Sequence, residues 1–556
     1  MGTHQNQHCL KIIIFLIVSV LIVIRIHHSF RSTRTFISKS SYYTVVLDCG
    51  STGTRVNVYE WLQNSTNDGD LPIMLHSFPD NSTKSPLGLD ACRYHCIQTE
   101  PGLDKFLHNS SGLSAALEPL LLWAEHQVPS QRHEETPIFL LATAGLRRLA
   151  SEDADWVLRN AEAVLKKHRF VYRRNWIRVL TGKEEAYHGW VALNYKMGRL
   201  GNSSVGPTLG VLDLGGSSFQ VVMDVGESRK NQHFFESEIG SLGHQLLAYS
   251  LPAFGLNAAF DRSIVILSEE HMGGDSSDAA YELRHPCLYS GFIQNYTCYG
   301  CHIWLSATNP LNVSGTIQNH QPSTFYLVGD PDWERCQDIA RATAINSSRS
   351  DWWQLSADMD CEAHSSSRSA NSLSSTNSSR PTARFHALSG FFAVYNMLNL
   401  NPKANITELM ERGQQLCSRS WNDMERTYGT RFYMEQSCFR VLYLASLIED
   451  GLCLNDAEII FGPGDVSWTL GAALVEGGDF WLGRTEMLAS SFSMISMEVV
   501  FSPTFLFALF LCLAFIVYCW NRKSSATALP NLTLSKRGPA GVISLPSYIY
   551  PKRQLK

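Results

Sequence analysis

The long middle region of this 556-residue chain lacks any excess of basic residues. The whole chain carries a net charge of −5, yet residues 1–34 hold four Lys or Arg and residues 521–556 hold seven, with no Asp or Glu in either segment. The region between them is therefore strongly acidic, near −16. Such a surface repels polyanions, which excludes most DNA- and RNA-binding functions, so we expect no nucleic-acid partner.

A zinc-binding cysteine set is also missing, because Cys298-x-x-Cys301 has no second matching pair. Of the 14 cysteines, Cys9, Cys512 and Cys519 lie in or beside apolar runs, and Cys49 lies inside a motif described below. An even number remains, which predicts five disulfide bonds in an oxidising compartment. These ten are Cys92, Cys96, Cys287, Cys298, Cys301, Cys336, Cys361, Cys417, Cys438 and Cys453.

Long apolar runs are scarce, and the two that occur bracket almost everything else. Leu10 to Ile26 is followed by no convincing small-residue cleavage site, which favours a transmembrane signal anchor at 10–26 over a cleaved signal peptide. Residues 1–9 then form a short cytosolic N-terminus. Val499 to Trp520 is uncharged and long enough to span a bilayer, and the basic tail at 521–556 that follows it is expected in the cytosol.

Glycosylation sequons indicate on which side of the membrane the region between these runs lies. The positive-inside rule is ambiguous there, because Arg residues follow the first run. Nine sequons favour a luminal or extracellular region, in the Golgi, endosomes or plasma membrane. We expect a glycoprotein held in the lipid bilayer, whose transmembrane helices could support homo-oligomers. The sequons are at Asn64, Asn81, Asn109, Asn202, Asn295, Asn312, Asn346, Asn377 and Asn405.

Short Val- and Ile-rich runs alternate with helical patterns, which predicts an α/β architecture. Helices are expected at Leu113–His126 and Asp153–Lys167, and a Ser- and Asn-rich surface insertion at Ser365–Ser379. Buried strands are expected at Thr44–Leu47, Ile138–Leu141, Ile177–Leu180, Leu209–Leu212 and Phe325–Val328.

One pattern occurs twice, about 165 residues apart. Val45-Val-Leu-Asp-Cys-Gly-Ser-Thr-Gly-Thr-Arg-Val-Asn-Val58 is echoed by Gly210-Val-Leu-Asp-Leu-Gly-Gly-Ser-Ser-Phe-Gln-Val-Val-Met223. In both copies an apolar strand delivers an Asp, a Gly- and hydroxyl-rich turn follows, and a second strand begins. Two ordinary glycine-rich hairpins are the alternative, but two copies in register favour a duplicated fold with two related lobes.

Glycine-rich turns bring backbone N–H groups close to an anion, and two facing turns would hold a polyphosphate from both sides. A carboxylate beside phosphate is repulsive unless a divalent cation binds both. Asp48 and Asp213 are therefore predicted to position a divalent cation. Their alternative role is to cap the turn that follows each of them.

Three further motifs carry candidate chemistry. A strand ending at Thr143 is followed by a helix start at a glycine, a weak anion-site signal. Glu184 and Glu185 follow another strand; one could accept a proton from water, although a solvated helix start explains both equally well. Trp468, after Gly462-Pro-Gly464, could stack on a nucleobase or be a core aromatic.

Taken in order, these segments resemble the five apyrase conserved regions of the nucleoside triphosphate diphosphohydrolase family, from about Tyr43 to Val475, and look most like plant membrane-bound apyrases. The resemblance implies the duplicated, two-lobed actin-like (RNase H-like) fold. It also implies a hydrolase of nucleotide phosphate anhydrides that takes nucleoside tri- and diphosphates. Lobe I is then expected at 43–175 plus 465–490, and lobe II at 176–464.

By the same resemblance, Glu185 matches the base that activates water, Ser218 and Gln220 lie beside that water, and Thr143 is an active-site threonine. Asp48 and Asp213 match the aspartates that hold water around the Ca²⁺ or Mg²⁺ ion. The nucleotide- and phosphate-binding set is Ser51, Thr52, Gly53, Thr54, Arg55, Gly215, Gly216, Ser217 and Trp468.

The chain departs from the family pattern at a few positions. Cys49 replaces a small residue, which predicts a buried free thiol, and Phe219 replaces a Thr or Ser before Gln220. The segment His386-Ala-Leu-Ser-Gly-Phe-Phe392 only loosely resembles the family's aromatic segment. A catalytically silent nucleotide receptor is the main rival to catalysis, and a kinase or exopolyphosphatase of the same superfold is a third reading.

Overall fold

The computed structural model describes residues 41–62, 71–80, 97–200, 206–226, 231–239, 242–271, 282–301, 323–345, 350–359, 384–428, 434–454 and 459–478. All of them belong to one compact unit, Met1–Trp481. Both long apolar runs and the segment Ser365–Ser379 lie outside the described residues. Among the described helices, none combines the length and the apolar character that crossing a bilayer requires.

The first sheet is built from residues 42–179 and has strand order β3-β2-β1-β5-β6, with the short β4 paired to β2. Strand β2 runs antiparallel to β1 and β3, whereas β5 runs parallel to β1 and β6. The strands are β1 (Tyr42–Cys49), β2 (Thr54–Leu62), β3 (Ile73–Phe78), β4 (Gln98–Thr99), β5 (Ile138–Ala142) and β6 (Ile177–Val179).

The remaining strands form a second large sheet, of order β15-β14-β7-β8-β10-β9, and a small sheet of order β11-β13-β12. They are β7 (Gly210–Leu214), β8 (Ser218–Asp224), β9 (Phe234–Ile239), β10 (Leu242–Pro252), β11 (Glu282–His285), β12 (Ile293–Cys298), β13 (Ser323–Gly329), β14 (Phe385–Ser389) and β15 (Ile459–Phe461). The expected strands at 44–47, 138–141, 177–180, 209–212 and 325–328 are confirmed within a few residues.

The α-helices alternate with these strands. They are α1 (Ser110–Gln127), α2 (Ala144–Arg147), α3 (Ser151–Leu165), α4 (Gly182–Lys196), α5 (Leu256–His271), α6 (Trp333–Ala344), α7 (Ser350–Asp358), α8 (Gly390–Met397), α9 (Ile406–Cys417), α10 (Trp421–Tyr428), α11 (Ser437–Ser446) and α12 at 468–478. Helices α1 and α3 confirm the two helices expected from the apolar periodicity.

The two large sheets repeat one topology, which confirms the duplication expected from the repeated motif. Strand β7 pairs with β8 antiparallel and with β14 parallel, as β1 pairs with β2 and β5. Strand β15 then extends the second sheet beside β14, as β6 extends the first beside β5. The first sheet continues to β6, which lies past the expected lobe boundary at residue 175.

A shared middle layer joins the sheets. Helix α4 and residues 466–475 bury Trp190, Trp468 and Leu470 between Val46 of the first sheet and Val222 of the second. Alternate residues of the same strands face outward onto the separate cores of each half. Sheets covered on both faces need apolar residues at nearly every strand position, which is what β1 contains.

Three disulfide bonds fasten the second half among the described cysteines: Cys287–Cys336, Cys298–Cys301 and Cys417–Cys438. Cys453 is also disulfide-bonded. Cys92, Cys96 and Cys361 lie outside the described residues. Cys49 is a buried free thiol, as predicted, and burial together with the neighbouring Asp48 carboxylate raises its pKa.

Candidate active site

A cleft of about 670 Å³ opens where the two large sheets approach each other. Its walls include the turns that follow β1 and β7 and the starts of the helices that follow β5 and β14. Most of the predicted site residues line it: Asp48, Ser51, Thr52, Arg55, Thr143, Glu185, Asp213, Gly215, Gly216, Ser217, Ser218, Gln220 and Trp468. Gly53 and Thr54 are buried behind the first turn and do not line it.

The first glycine-rich turn joins β1 to β2 and is closed by a hydrogen bond from Gly50 N to Gly53 O of 3.0 Å. Asp48 at the end of β1 pairs in register with Arg55 at the start of β2. The Arg55 guanidinium contacts the Asp48 carboxylate at 3.3 Å and donates to Gln98 at 2.9 Å. A fixed cation thus stands beside the first turn, within reach of an anionic ligand.

The second turn has the same construction. Gly215 N donates to Ser218 O at 3.0 Å, and Asp213 on β7 pairs in register with Gln220 on β8. The turns meet across the cleft, because Ser217 Oγ donates to Ser51 Oγ at 2.8 Å. Two hydroxyl-bearing turns in contact leave a narrow polar gap between the halves of the molecule, suited to a small anion.

Each turn is also approached by a glycine at the start of a helix. A Cβ on Gly145 in α2 would lie 2.9 Å from Ser51 Cα, and one on Gly390 in α8 would lie 2.7 Å from Leu214 O. Real side chains do not tolerate such approaches to backbone atoms, so only glycine lets these helices reach the turns. Thr143 and Ser389 directly precede the two helices, at equivalent places in the repeat.

Asp48 and Asp213 face the same cleft in an environment that resists negative charge. Burial raises the pKa of both carboxyls above the usual range; Arg55 opposes this at Asp48, and a hydrogen bond with Ser389 opposes it at Asp213. The charge of Asp48 raises the pKa of Asp213 further. Two largely buried carboxylates that repel each other suit a hard divalent cation. Among the described residues, no cluster of three or more His, Cys, Asp or Glu could hold a metal ion.

The two adjacent carboxylates of the third motif have separate tasks. Glu184 forms a capping box with Thr181 at the start of α4 and pairs with Arg178 at 2.7 Å. Those contacts hold the pKa of Glu184 below its usual range despite partial burial. Glu185 instead turns into the cleft. The solvated helix start weighed for both residues therefore applies to Glu184.

Glu185 is largely buried, with 12% of its side chain exposed, and this burial raises the pKa of its carboxyl to about 7, with smaller contributions from the charges of Asp213 and Asp48. Arg147 opposes that increase through a 2.7 Å ion pair from Nη2 and is itself anchored to Leu180 O at 3.0 Å. A carboxylate with a pKa near 7 can take a proton from water at neutral pH and later release it. Sequence reasoning did not single out Arg147, although it lies four residues after Thr143.

On β8, strand alternation separates the predicted polar residues from Phe219. Ser218 and Gln220 share the cleft face, where the Gln220 amide donates to Ser218 Oγ at 2.7 Å. Phe219 points into the opposite core and packs edge-on against Phe391. The Phe219 departure therefore leaves the cleft chemistry unchanged.

Trp468 lies at the start of α12, stacked against His188 with ring centroids 6.4 Å apart. Its side chain is buried in the middle layer while one part lines the cleft. Sequence reasoning missed several other lining residues, notably Asn257, Ser389, Gly390, Ala393 and Arg440. Ser389 and Gly390 could have been found as a counterpart of Thr143 and Gly145; Asn257 and Arg440 carry no local signal.

Comparisons with known proteins found a matching family and individual relatives. The family described as GDA1/CD39 (nucleoside phosphatase) matches residues 35–482. "Probable apyrase 7" of Arabidopsis thaliana is 36% identical over 517 residues, covering 91% of this chain and 67% of the relative. "Ectonucleoside triphosphate diphosphohydrolase 3" of Mus musculus is 25% identical over 507 residues, covering 86% of this chain and 85% of the relative.

A solved structure shares the fold. The crystal structure of nucleoside triphosphate hydrolases from Neospora caninum aligns with a TM-score of 0.51 at 13% identity, over 82% of this chain and 96% of that one. The α/β architecture expected from the sequence, and the actin-like fold that the resemblance implies, are thereby supported.

Proposed function

The chain belongs to the GDA1/CD39 (nucleoside phosphatase) family, whose members are hydrolases of nucleotide phosphate anhydrides, and we propose that it releases the terminal phosphate of nucleoside tri- and diphosphates. The observation that carries this proposal is the position of Glu185. A buried carboxyl with a pKa of about 7 faces two glycine-rich turns that are joined by the Ser51–Ser217 hydrogen bond.

In this proposal the terminal phosphate lies between the two turns, held by backbone N–H groups and by the hydroxyls of Ser51, Thr52 and Ser217. Ser218 and Gln220 orient a water molecule beside Glu185, which accepts its proton as the water attacks phosphorus in line with the leaving oxygen. Arg147 keeps the Glu185 carboxylate ionised and aimed into the cleft. No phosphorylated residue is formed on the chain.

Asp48 and Asp213 are the residues that would hold a divalent cation, Ca²⁺ or Mg²⁺, through water. Their buried, mutually repelling carboxyls fit such a group, and the cation supplies positive charge against the phosphate oxygens. Arg55, paired with Asp48, adds a positive charge of the chain itself at the cleft. That charge favours the transition state, in which negative charge accumulates on the leaving oxygen.

We further propose that residues 10–26 and 499–520 anchor the protein in a membrane with the catalytic region on the luminal or extracellular side. Two observations on the described residues support this location. Disulfide bonds are present, and the sequon residues Asn109, Asn295 and Asn405 are exposed. Both features are typical of an oxidising, glycosylating compartment.

The test is phosphate release from ATP, ADP, GDP, UDP and AMP by purified protein with Ca²⁺ or Mg²⁺, with EDTA, and beside Glu185→Ala. We expect cation-dependent release from tri- or diphosphates, no release from AMP, and loss of release in the variant. Binding without release in wild type and variant alike would replace the enzyme with a nucleotide receptor. Transfer of labelled phosphate to the protein or to an added sugar would exclude the direct attack of water.

A further inference from the structure

The outer face of the small sheet β11-β13-β12 lies apart from the catalytic cleft, because none of its described residues lines that cleft. Strand alternation places neighbouring side chains on opposite faces. Leu327 on β13 is 2% exposed and packs in the core of the second half, whereas Tyr326 is 37% exposed and faces outward. Asn295 on β12 pairs with Tyr326 in antiparallel register. Residues paired in this way project to the same face with Cβ atoms about 5 Å apart, so the Tyr326 side chain starts beside that of Asn295.

Asn295 is the acceptor residue of the sequon Asn295-Tyr-Thr297, and strand β12 presents this sequon outward. Asn295 is exposed, and Thr297 shares its face by strand alternation. Tyr296 between them points inward, where its hydroxyl donates to Asp261 Oδ1 at 2.7 Å. Among the described residues, the side-chain amide of Asn295 has no hydrogen-bond partner. Its amide nitrogen is therefore free to carry a sugar.

Strand β12 is also an edge strand that exposes apolar surface. It lies at one edge of the described sheet, and Ile293, two residues before Asn295, is 57% exposed. Val328, the partner of Ile293 on β13, is half-buried on the same face. An exposed edge with apolar side chains can pair with another chain unless something covers it. A bulky hydrophilic group on Asn295 would cover Ile293 and Tyr326 and would block that edge.

We propose that Asn295 carries an N-linked glycan whose first N-acetylglucosamine packs on the Tyr326 ring. The outer face of the small sheet is then a binding surface for the chain's own carbohydrate. Transfer from a lipid-linked oligosaccharide diphosphate forms a bond between C1 of the sugar and Asn295 Nδ2. The bond from C1 to the diphosphate breaks, and one Nδ2 proton leaves with the diphosphate. One face of the attached sugar ring presents C–H groups, whose partial positive charge suits the negative face of an aromatic ring.

This inference rests on the proposed luminal or extracellular location and not on catalysis. The full chain is produced in a glycosylating cell, and its glycans are trimmed to the first N-acetylglucosamine with an endoglycosidase. Peptide masses report whether Asn295 is occupied. Amide hydrogen exchange of the peptides that contain β12 and β13 then reports how often these strands open.

In Thr297→Ala, which removes the glycan, we expect the β12 amides to exchange about fivefold faster than in the wild type. Tyr326→Thr removes the ring but keeps a strand-forming residue, and in that background loss of the glycan should change the rate by less than about twofold. Tyr326→Phe keeps the ring face and should retain the full effect of the glycan. Thr407→Ala, which removes the sequon of Asn405, is the matched control and should leave β12 exchange unchanged.

An unoccupied Asn295 in a protein that carries glycans at Asn109 or Asn405 overturns this proposal and leaves the proposed location intact. Absence of glycan at every sequon would overturn the proposed location and with it this inference. Equal exchange with and without the glycan overturns the packing, as does an equal effect of the glycan in wild type and Tyr326→Thr. If Tyr326→Thr does not fold, Tyr326→Leu replaces it and the same rates are compared.

Discussion

At the residue scale, the proposed chemistry depends on two identical side chains, those of Glu184 and Glu185, lying in different environments. Glu184 and Glu185 are adjacent, yet one caps a helix beside Arg178 and the other lies buried in the cleft beside Arg147. Their pKa values consequently move in opposite directions. Widely different pKa values for neighbouring carboxyls are a frequent sign that one is structural and the other catalytic.

Removing Arg147 should move the acidic limb of the pH–rate profile. Arg147 lowers the pKa of Glu185, so in Arg147→Met that pKa rises above about 7 and more of the carboxyl is protonated at neutral pH. We expect kcat/KM at pH 6.5 to fall by about tenfold and to recover at higher pH. Profiles are measured at saturating cation for both proteins. Arg148→Met, at the exposed neighbouring position, should leave the limb in place; an unshifted limb in Arg147→Met would contradict the assigned role.

The free energy of unfolding should also depend on pH through the protonation of the Glu185 carboxyl. The folded-state pKa of Glu185 is about 7, against an ordinary value of 4.5, so folding is favoured while the group is protonated and loses stability as pH rises through 7. In EDTA, Glu185→Gln should match the wild type at pH 5 and be more stable at pH 8, by on the order of 2 kcal/mol.

Glu184→Gln is the paired control for thermal unfolding. The pKa of Glu184 is lowered in the fold, so its contribution is present above pH 4.5 and is lost as pH falls through the folded-state value. The Glu184→Gln variant should therefore be less stable than the wild type at pH 8. Equal behaviour of the two glutamine variants at pH 8 would contradict the separate environments described for the two carboxyls.

At the element scale, each half delivers a strand–turn–strand unit and a glycine-started helix to one point. An added Cβ would lie 2.9 Å from Ser51 Cα at Gly145 and 2.7 Å from Leu214 O at Gly390, so both helices, α2 and α8, pack closely against the turn regions. In the proposed mechanism, positioning of a phosphate depends on this backbone spacing, which a single methyl group can disturb.

Gly390→Ala should displace the second turn. Its Cβ would lie 2.7 Å from Leu214 O, so either β7 or α8 must move. We expect kcat/KM for nucleotide hydrolysis to fall by about 100-fold, with a smaller effect on thermal stability. Gly243→Ala, on β10 with open space around the added methyl, is the matched control and should retain activity. Full activity in Gly390→Ala would show that the turn tolerates this displacement.

The N-cap residue of helix α9 is Asn405, which is also a sequon residue, so its side-chain amide has two roles. Asn405 Oδ1 accepts from Glu408 N at 2.8 Å, while Nδ2 is the atom to which a glycan attaches. Asn405→Ala should lose both glycan and cap, costing about 1 kcal/mol of unfolding free energy measured after deglycosylation. Thr407→Ala and Asn405→Asp should lose the glycan yet keep the cap. A mass unchanged by all three variants would mean that this sequon is unused.

At the scale of the whole molecule, two related sheets share one middle layer of α4 and residues 466–475. The cleft opens between sheet ends that are far apart in sequence, so in the proposed function phosphate binding depends on the relative position of the two halves. The Ser51–Ser217 hydrogen bond is where those halves meet within the proposed site.

A covalent cross-link between the two turns, at positions 51 and 217, should prevent a phosphate from entering between them. The hydroxyl oxygens of Ser51 and Ser217 are 2.8 Å apart, so Ser51→Cys with Ser217→Cys should form a disulfide under mild oxidation. We expect the oxidised double variant to be inactive and mild reductant to restore activity, while nucleotide present during oxidation slows cross-linking. Each single variant serves as control. Undiminished hydrolysis by the cross-linked protein would place the phosphate elsewhere.

The sequence by itself determined the duplicated unit, the Asp and glycine-rich turns, and the set of strands around them. These are short-range patterns: strand alternation places Ser218 and Gln220 on one face and Phe219 on the other, whatever lies beyond. The family assignment rests on the same local motifs in order along the chain.

Tertiary structure alone decided which partners meet. It separated Glu184 from Glu185, brought Arg147 to Glu185 across 38 residues, and set Arg440 beside Asn257 across 183. Such contacts depend on how strands and helices pack over long sequence separations, and neither periodicity nor spacing within one element carries that information.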